Sequence, residues 1–168
     1  MYTRCSPGDD VGLDVAPLPS MTAGELCIRR VITADLDESV IDAARRMAQE
    51  NVGDLVVVEI VGERVAPIGM LTDRDLVVGA LARGAPLALE LRVRDVMSET
   101  VTAYADEDVS GVLATMQRHK IRRMPIIDRE GSLQGILTLD DVVSWIREQL
   151  DRAAAVIEHQ VSFAANAP

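Results

Sequence analysis

The stretch GMLTDRDL at residues 69–76 recurs 66 residues later as GILTLDDV at residues 135–142. Both stretches consist of glycine, two apolar residues, threonine, two variable residues, aspartate and an apolar residue. A motif that returns in this way indicates an internal repeat. In each copy the hydroxyl and the carboxylate lie where a short apolar strand is predicted to give way to a helix. The repeat therefore predicts two equivalent small-molecule sites.

The similarity extends well upstream of these motifs. Both copies open alike, with AGEL at residues 23–26 and VRDV at residues 93–96, and copy 1 has three extra residues in the turn-like stretch 60–67. Hairpin loops tolerate such length changes. The aligned segments are residues 32–34 with 101–103, 37–40 with 106–109, and 52–59 with 121–128. The predicted organisation is a flexible leader (1–20), copy 1 (21–86), copy 2 (87–150) and a C-terminal helix extension and tail (151–168).

Apolar spacing predicts the secondary structure of each copy. Val40, Ala43, Ala44 and Met47 follow the i, i+3, i+4, i+7 pattern of one helix face, and residues 109, 112, 113 and 116 repeat it. Short runs rich in Val and Ile predict strands at 55–58 and 68–71 in copy 1 and at 124–127 and 136–137 in copy 2. Closing helices are predicted at 73–83, ended by Gly84 and Pro86, and at 139–150. These elements predict an α/β (α+β) fold of two β-α-β-β-α repeats, packed face to face with pseudo-twofold symmetry.

Composition excludes several classes of protein. The 168 residues carry a formal net charge of −10 and only 2% aromatic residues, which argues against nucleic-acid or membrane-surface binding and predicts an aliphatic core. Cys5 and Cys27 lack metal-ligand spacing with each other or with His119 and His159, so no metal site is expected and a reducing cytoplasm fits best. Residues 1–20 lack the long apolar run of a signal peptide or membrane span.

The motif residues allow both structural and functional interpretations. Thr72 and Thr138 can cap the helices that follow them. Asp75 and Asp141 can complement a helix dipole, or accept two hydrogen bonds from a vicinal diol such as a ribose. The glycine of each motif is interpreted as backbone freedom at a hairpin exit. Phosphate-loop and nucleophile motifs are absent from the sequence, and His119 lacks a nucleophile beside it, so no enzyme activity is expected.

Taken together, these residues closely resemble the CBS domain family, named after cystathionine β-synthase. The resemblance rests on both motif stretches, on KIRRMPIID at residues 120–128 and on VRDVM at residues 93–97, and it covers about residues 21–150. It implies a tandem CBS pair, or Bateman module. Such a module is expected to bind an adenine nucleotide (AMP, ADP or ATP) or S-adenosylmethionine in clefts between the copies and to signal to an effector protein. The alternative is a ligand-free interaction or scaffold protein with the same fold.

The resemblance also implies roles for individual residues. Asp75 and Asp141 would hold the ribose hydroxyls, and Thr72 and Thr138 would lie near the ribose or phosphate. The adenine would contact Ile32, Thr33, Val52 and Gly53 in one copy, and Val101, Thr102, Ile121 and Arg122 in the other. Copy 1 departs from the usual pattern, with Val56 in place of Pro125 and Gly53-Asp54 in place of Arg122-Arg123. Equal occupancy of the two sites is therefore not expected.

The charge distribution sharpens this expectation. Copy 2 carries a basic cluster where copy 1 has QENVGD at residues 49–54, whereas in the motif helices Arg74 corresponds to Asp140. One cleft, containing Asp75 and Arg74 and facing the basic cluster, is expected to take a phosphorylated nucleotide. The other would be empty or hold a less charged adenosyl ligand. The alternative is that the cluster is a solvated helix end. Its members are Arg118, His119, Lys120, Arg122 and Arg123.

The second closing helix is predicted to continue beyond Leu150. Ala153, Ala154, Val156 and Ile157 extend its apolar character past what one repeat can cover. Either a homodimer buries this surplus, or the helix folds back on its own module. We expect the homodimer.

Overall fold

A computed structural model describes residues 21–84 and 89–165 of the chain. The leader predicted for residues 1–20 and the helix stop predicted at Pro86 lie outside these residues. Side chains are described as far as Ala155, so the apolar contribution of Val156 and Ile157 also lies outside them.

The two copies form two separate sheets. In copy 1, β1 (Thr33–Asp35) is parallel to β2 (Asp54–Val61), and β2 is antiparallel to β3 (Arg64–Thr72), which in turn pairs with β4 (Ser98–Glu99). In copy 2, β5 (Ala103–Tyr104) is parallel to β6 (Arg123–Ile127), and β6 is antiparallel to β7 (Leu133–Thr138). All four predicted strand runs are confirmed, and each observed strand is longer than its run.

The first long helix of each copy packs the predicted apolar face onto its sheet. In α2 (Val40–Glu50) Val40, Ala43 and Met47 are buried, whereas Ala44 is exposed. The equivalent helix α4 (Val109–His119) buries residues 109, 112 and 116. Both helices end on a residue in the left-handed region, Asn51 with φ 55° and Lys120 with φ 56°.

The segment that opens copy 1 packs against copy 2. The short helix α1 (Ala23–Leu26) donates backbone hydrogen bonds from Ala23 to Glu107 and from Gly24 to Ala105, both 2.8 Å long. Ile28 and Ile136 exchange two backbone hydrogen bonds of 2.9 and 3.0 Å. Ala23 and Cys27 consequently belong to the hydrophobic core of copy 2.

The segment that opens copy 2 packs in the same way against copy 1. The 3₁₀ turn Val93–Asp95 donates from the Val93 amide to the Glu38 carbonyl over 3.0 Å. Val93 is fully buried in the core of copy 1, and β4 extends the sheet of that copy. Each half is therefore completed by the segment that opens the other half.

This exchange corrects the interpretation of the motif glycines. Gly69 and Gly135 do not have positive φ angles, so backbone freedom is not the reason for them. A Cβ atom at Gly135 would lie 2.5 Å from Cys27 Sγ and 2.8 Å from the Ile28 carbonyl oxygen. At Gly69 it would lie 2.7 Å from Met97 Sδ. The glycines are required because the opening segment of the other copy passes directly over the strand.

The two closing helices differ from one another. In copy 1, α3 (Asp73–Asp75) continues into a π turn (Leu76–Ala80) and a 3₁₀ turn (Leu81–Arg83), and Gly84 with φ 101° ends the segment. The predicted helix over 73–83 is therefore helical but not a regular α-helix. In copy 2, α5 (Leu139–Ala165) is one long helix, which confirms its continuation beyond Leu150. No helix within residues 21–84 and 89–165 is long and apolar enough to cross a membrane.

Candidate functional site

The motif threonine and aspartate of each copy form a reciprocal cap at the start of the closing helix. Thr72 Oγ1 donates to Asp75 Oδ2 over 2.7 Å and accepts from the Asp75 amide over 3.2 Å, and the Thr72 amide donates to the same Oδ2 over 2.8 Å. Thr138 and Asp141 repeat this arrangement with distances of 2.5, 3.2 and 3.0 Å. The capping role is thus realised in both copies. Among the described residues, Oδ1 of Asp75 has no hydrogen-bond donor, so that oxygen can still accept from a diol.

A cleft of about 370 Å³ lies between the two copies, and we call it the inter-copy cleft. Thr72, Asp73 and Arg74 contribute to it from the start of the closing helix of copy 1. On the other side, residues 120–123, which connect the end of α4 to the start of β6, contribute to the lining. The copy 2 residues that line it are Ser98, Glu99, Thr100, Val101, Lys120, Ile121, Arg122 and Arg123, and Met70 of β3 completes it.

The inter-copy cleft is locally basic in an acidic chain. Four cationic side chains line it, against the carboxylates of Asp73 and Glu99. Lys120 is one of these cations, and it holds a left-handed φ of 56°, a conformation that favours glycine or asparagine. Asn51 holds the same conformation at the end of α2, so this geometry is that of a helix C-cap, and the four cations are what distinguishes the cleft. The cleft is therefore suited to an anionic group.

One ion pair joins the two copies beside the cleft. Arg123 Nη1 lies 2.5 Å from Asp54 Oδ1, with the Asp54 side chain 16% exposed and that of Arg123 33% exposed. Burial, the largest effect, raises the pKa of Asp54. The guanidinium of Arg123 opposes this rise and the neighbouring Asp73 carboxylate adds to it. Arg122, in contrast, is well exposed and lies 3.6 Å from Asp140.

Several predicted site residues lie outside the described lining of the inter-copy cleft. Asp75 is turned into its helix cap, and Asp141 borders a separate hollow of about 450 Å³ beside Trp145. Arg118 and His119 lie on the exposed end of α4, where Arg118 donates to Thr115 Oγ1 over 3.3 Å. For these two residues of the basic cluster, the structure matches the solvated helix end.

The adenine-contacting residues predicted for copy 1 have structural partners. Ile32 and Val52 pack against the core of that copy. The Thr33 carbonyl accepts from Arg46 over 2.5 Å, and the Gly53 carbonyl accepts from the Asp73 amide over 2.9 Å. Their counterparts Val101, Ile121 and Arg122 line the inter-copy cleft, whereas Thr102 is half-buried and is not among its lining residues.

Sequence reasoning missed the wall formed by residues 98–100. These residues follow VRDVM, whose similarity to the opening of copy 1 was visible in the sequence. They reach the cleft because this segment crosses over to pair with β3, where the Ser98 hydroxyl donates to the Met70 carbonyl over 3.3 Å. The repeat alone carries no signal for that crossing.

Comparison with known proteins agrees with this architecture. The family model of the CBS domain matches twice, at residues 23–80 and 93–148. An uncharacterised protein of Methanopyrus kandleri is 37% identical over 125 residues, covering 74% of this chain and 62% of that protein, so the chain spans about three fifths of this relative.

Two solved structures share the fold. A CBS domain pair in complex with 5′-methylthioadenosine and S-adenosyl-L-methionine has a TM-score of 0.66 at 24% identity, covering 78% of this chain and 99% of that one. A CBS domain protein from Pyrobaculum aerophilum complexed with AMP has a TM-score of 0.64 at 21% identity, covering 72% and 89%. This chain therefore belongs to the CBS domain family and folds as a CBS domain pair, as shown by the two matched repeats and by the two halves that exchange their opening segments.

Proposed function

We propose that this chain is a regulatory module that binds an adenosyl ligand in the inter-copy cleft and passes its bound state to a partner protein. The observation that carries the proposal is the cleft itself, with Thr72 of one motif on one side and Lys120 and Arg122 of the other copy facing it. The two solved CBS proteins that hold methylthioadenosine and S-adenosylmethionine, or AMP, support the ligand class.

The lining favours a phosphorylated member of that class. Arg74, Lys120 and Arg122 offer charge-assisted hydrogen bonds to phosphate oxygens. Val101 and Ile121 supply apolar surface for the adenine ring. We assign the ribose hydroxyls to Oδ1 of Asp75, which lies outside the cleft lining but is hydrogen-bonded through Oδ2 to the lining residue Thr72. The equivalent positions of the second site hold acidic or uncharged residues such as Asp140 and Gly53. We therefore infer one phosphate-binding site per chain.

A ligand in this position contacts both copies at once. It therefore stabilises one relative orientation of the halves, which is sufficient to shift a conformational equilibrium. The output belongs to a separate effector protein in this proposal, with the module acting as sensor and not as enzyme. The free thiol of buried Cys27 fits a reducing compartment such as the cytoplasm.

We further propose that the module is a homodimer. Val77 and Leu81 on the first closing helix are 56% and 61% exposed, and Val143 and Leu150 on the second are 55% and 65% exposed. Apolar side chains at this density on two helices are typical of a contact surface. Sedimentation equilibrium should give twice the chain mass, and Leu81→Glu combined with Leu150→Glu should give the monomer.

A panel of ligands tests the sensing proposal. AMP, ADP, ATP, NAD and S-adenosylmethionine are added separately in a thermal-shift assay. A ligand at about 100 times its Kd stabilises the fold by roughly 2.7 kcal/mol, equivalent to about 5–10 °C at this size. Arg122→Gln should weaken AMP binding, whereas Arg152→Gln, which removes an exposed arginine paired with Glu148, should not.

A ligand-free scaffold is the second candidate. Two observations favour it: Thr72 and Asp75 already hydrogen-bond to each other in the cap, and Arg123 is already paired with Asp54. These polar groups have partners without a ligand. The absence of any thermal shift across the panel, together with no small molecule in mass spectra of the native purified protein, would establish the scaffold and reject the sensor.

A further inference from the structure

The ion pair between Asp54 and Arg123 joins the same position of the two copies. Asp54 begins β2 directly opposite Thr72, and Arg123 begins β6 directly opposite Thr138. Equivalent positions of a pseudo-twofold pair lie close to the axis when they touch. Two identical charges would repel each other at this position. Because the two residues carry opposite charges, Arg123 Nη1 and Asp54 Oδ1 can approach to 2.5 Å.

This pair is also the most enclosed one in the described part of the chain. Among the eight ion pairs found there, it alone has both side chains less than 35% exposed. Water and salt therefore screen it less than the surface pairs. Its partners are correspondingly sensitive to any new charge nearby.

Arg123 belongs to two environments at once. It lines the inter-copy cleft together with Lys120 and Arg122, while Asp54 lies outside the described lining. A phosphate in the cleft must share the Arg123 guanidinium with the Asp54 carboxylate. The Asp54 carboxylate therefore weakens the attraction of the cleft for an anion, although the ligand does not contact Asp54.

We propose that Asp54 determines the specificity of the inter-copy cleft between phosphorylated and unphosphorylated adenosyl ligands, a proposal that rests on the proposed function for the identity of the ligand. Asp54 acts through Arg123, as an internal counterion that holds the guanidinium and lowers the preference for phosphate. A phosphate that draws Arg123 away from Asp54 also weakens the charged link between the copies. Anion binding and the relative orientation of the halves are coupled at this residue.

The test compares ligands with and without phosphate. AMP, 5′-methylthioadenosine and inorganic pyrophosphate are titrated calorimetrically into the wild type, Asp54→Asn and the control Asp106→Asn. The control removes the same charge from an exposed pair with Arg129, outside the described cleft lining. Asp54→Asn should tighten AMP and pyrophosphate about 3- to 10-fold, the effect of one screened charge at this range. Methylthioadenosine should change less than about twofold, as should all three probes on the control.

Further variants separate the charge effect from a structural one. Asp54→Glu keeps the carboxylate and should retain the wild-type ratio of AMP to methylthioadenosine affinity. In an Arg123→Gln background, Asp54→Asn should leave that ratio unchanged, because the guanidinium through which it acts is gone. Circular dichroism establishes that each variant is folded, and Asp54→Ser replaces Asp54→Asn should the latter not fold.

The outcomes distinguish this proposal from the proposed function. If AMP binds and Asp54→Asn leaves the ratio at the wild-type value, the role of Asp54 is wrong and the sensor stands. If neither adenosyl compound binds but pyrophosphate binds Asp54→Asn more tightly, the adenosyl ligand is wrong and the role of Asp54 in anion selection stands. If none of the three probes binds any variant, both proposals are rejected.

Discussion

Replacing Gly135 with alanine tests whether the exchanged opening segment is the reason for the motif glycine. The added Cβ would lie 2.5 Å from Cys27 Sγ, 2.8 Å from the Ile28 carbonyl oxygen and 3.1 Å from Cys27 Cβ. Ordinary contacts between carbon atoms are about 3.5–4.0 Å long. The overlap thus approaches 1 Å and involves backbone, which cannot turn aside as a flexible side chain can.

The expected loss follows from this geometry. Overpacking a filled core costs about 1–3 kcal/mol and occasionally more, and the backbone contact places Gly135→Ala near 3 kcal/mol. At this chain length the melting temperature should fall by roughly 6–12 °C. Gly69→Ala should lose only about 1–2 kcal/mol, because its nearest neighbour is the flexible Met97 thioether at 2.7 Å. Its nearest backbone atom, the Ser98 carbonyl oxygen, lies farther away, at 3.0 Å.

A matched control lies on α4. A Cβ at Gly111 would have no atom within 4 Å, so Gly111→Ala should gain about 0.5–1 kcal/mol from helix propensity. Urea unfolding followed by the fluorescence of Trp145, the single tryptophan, reports directly on the copy 2 core against which it packs. A Gly135→Ala variant that is as stable as the wild type, or more stable than Gly69→Ala, would refute the reasoning.

Three further predictions follow from the caps and the charges. Thr138→Ala removes the helix cap and should cost about 1 kcal/mol in thermal unfolding, whereas Thr138→Ser should restore most of it; equal losses would contradict the cap. Lys120→Gly relieves a left-handed residue and should raise stability by roughly 0.5–1 kcal/mol while weakening AMP binding, and a loss of stability would contradict the strain argument. Burial raises the pKa of Asp54, so the folded state keeps this proton to higher pH than the unfolded chain, and the contribution of Asp54 to stability falls as pH rises above about 3.9. The stability of Asp54→Asn relative to the wild type should therefore rise between pH 4 and pH 7 in urea unfolding, and a constant difference would rule out this titration.

The repeated motif and the apolar periodicity were sufficient to predict the fold. They identified both amphipathic helices and all four strand runs, because burial of an aliphatic face imposes a local period that the sequence shows directly. The π turn after Asp75 was not predictable, since the spacing of Leu76, Val77 and Ala80 suits an α-helix equally well.

The contacts between the two copies could not be predicted from the sequence, for a different reason. AGEL and VRDV were recognised only as similar openings of the two copies, and this similarity is the same whichever half each segment packs against, so the exchange leaves no local trace. The contrast between Asp54 and Arg123 was visible as a difference between the copies, but their contact depends on how the halves meet. The ligand roles of Asp75 and Asp141 remain predictions.

The exchange of opening segments also sets an order for folding during synthesis. Copy 1 cannot complete its core until Val93 and β4 have emerged, although its own three strands are finished by Thr72. The hydrogen bonds of Ile28 form later still, because its partner Ile136 is synthesised more than a hundred residues afterwards. Closing such distant contacts slows folding and links the two halves in one cooperative transition. A nascent chain that stops between the copies has made three of the four strands of its first sheet and still holds no finished half.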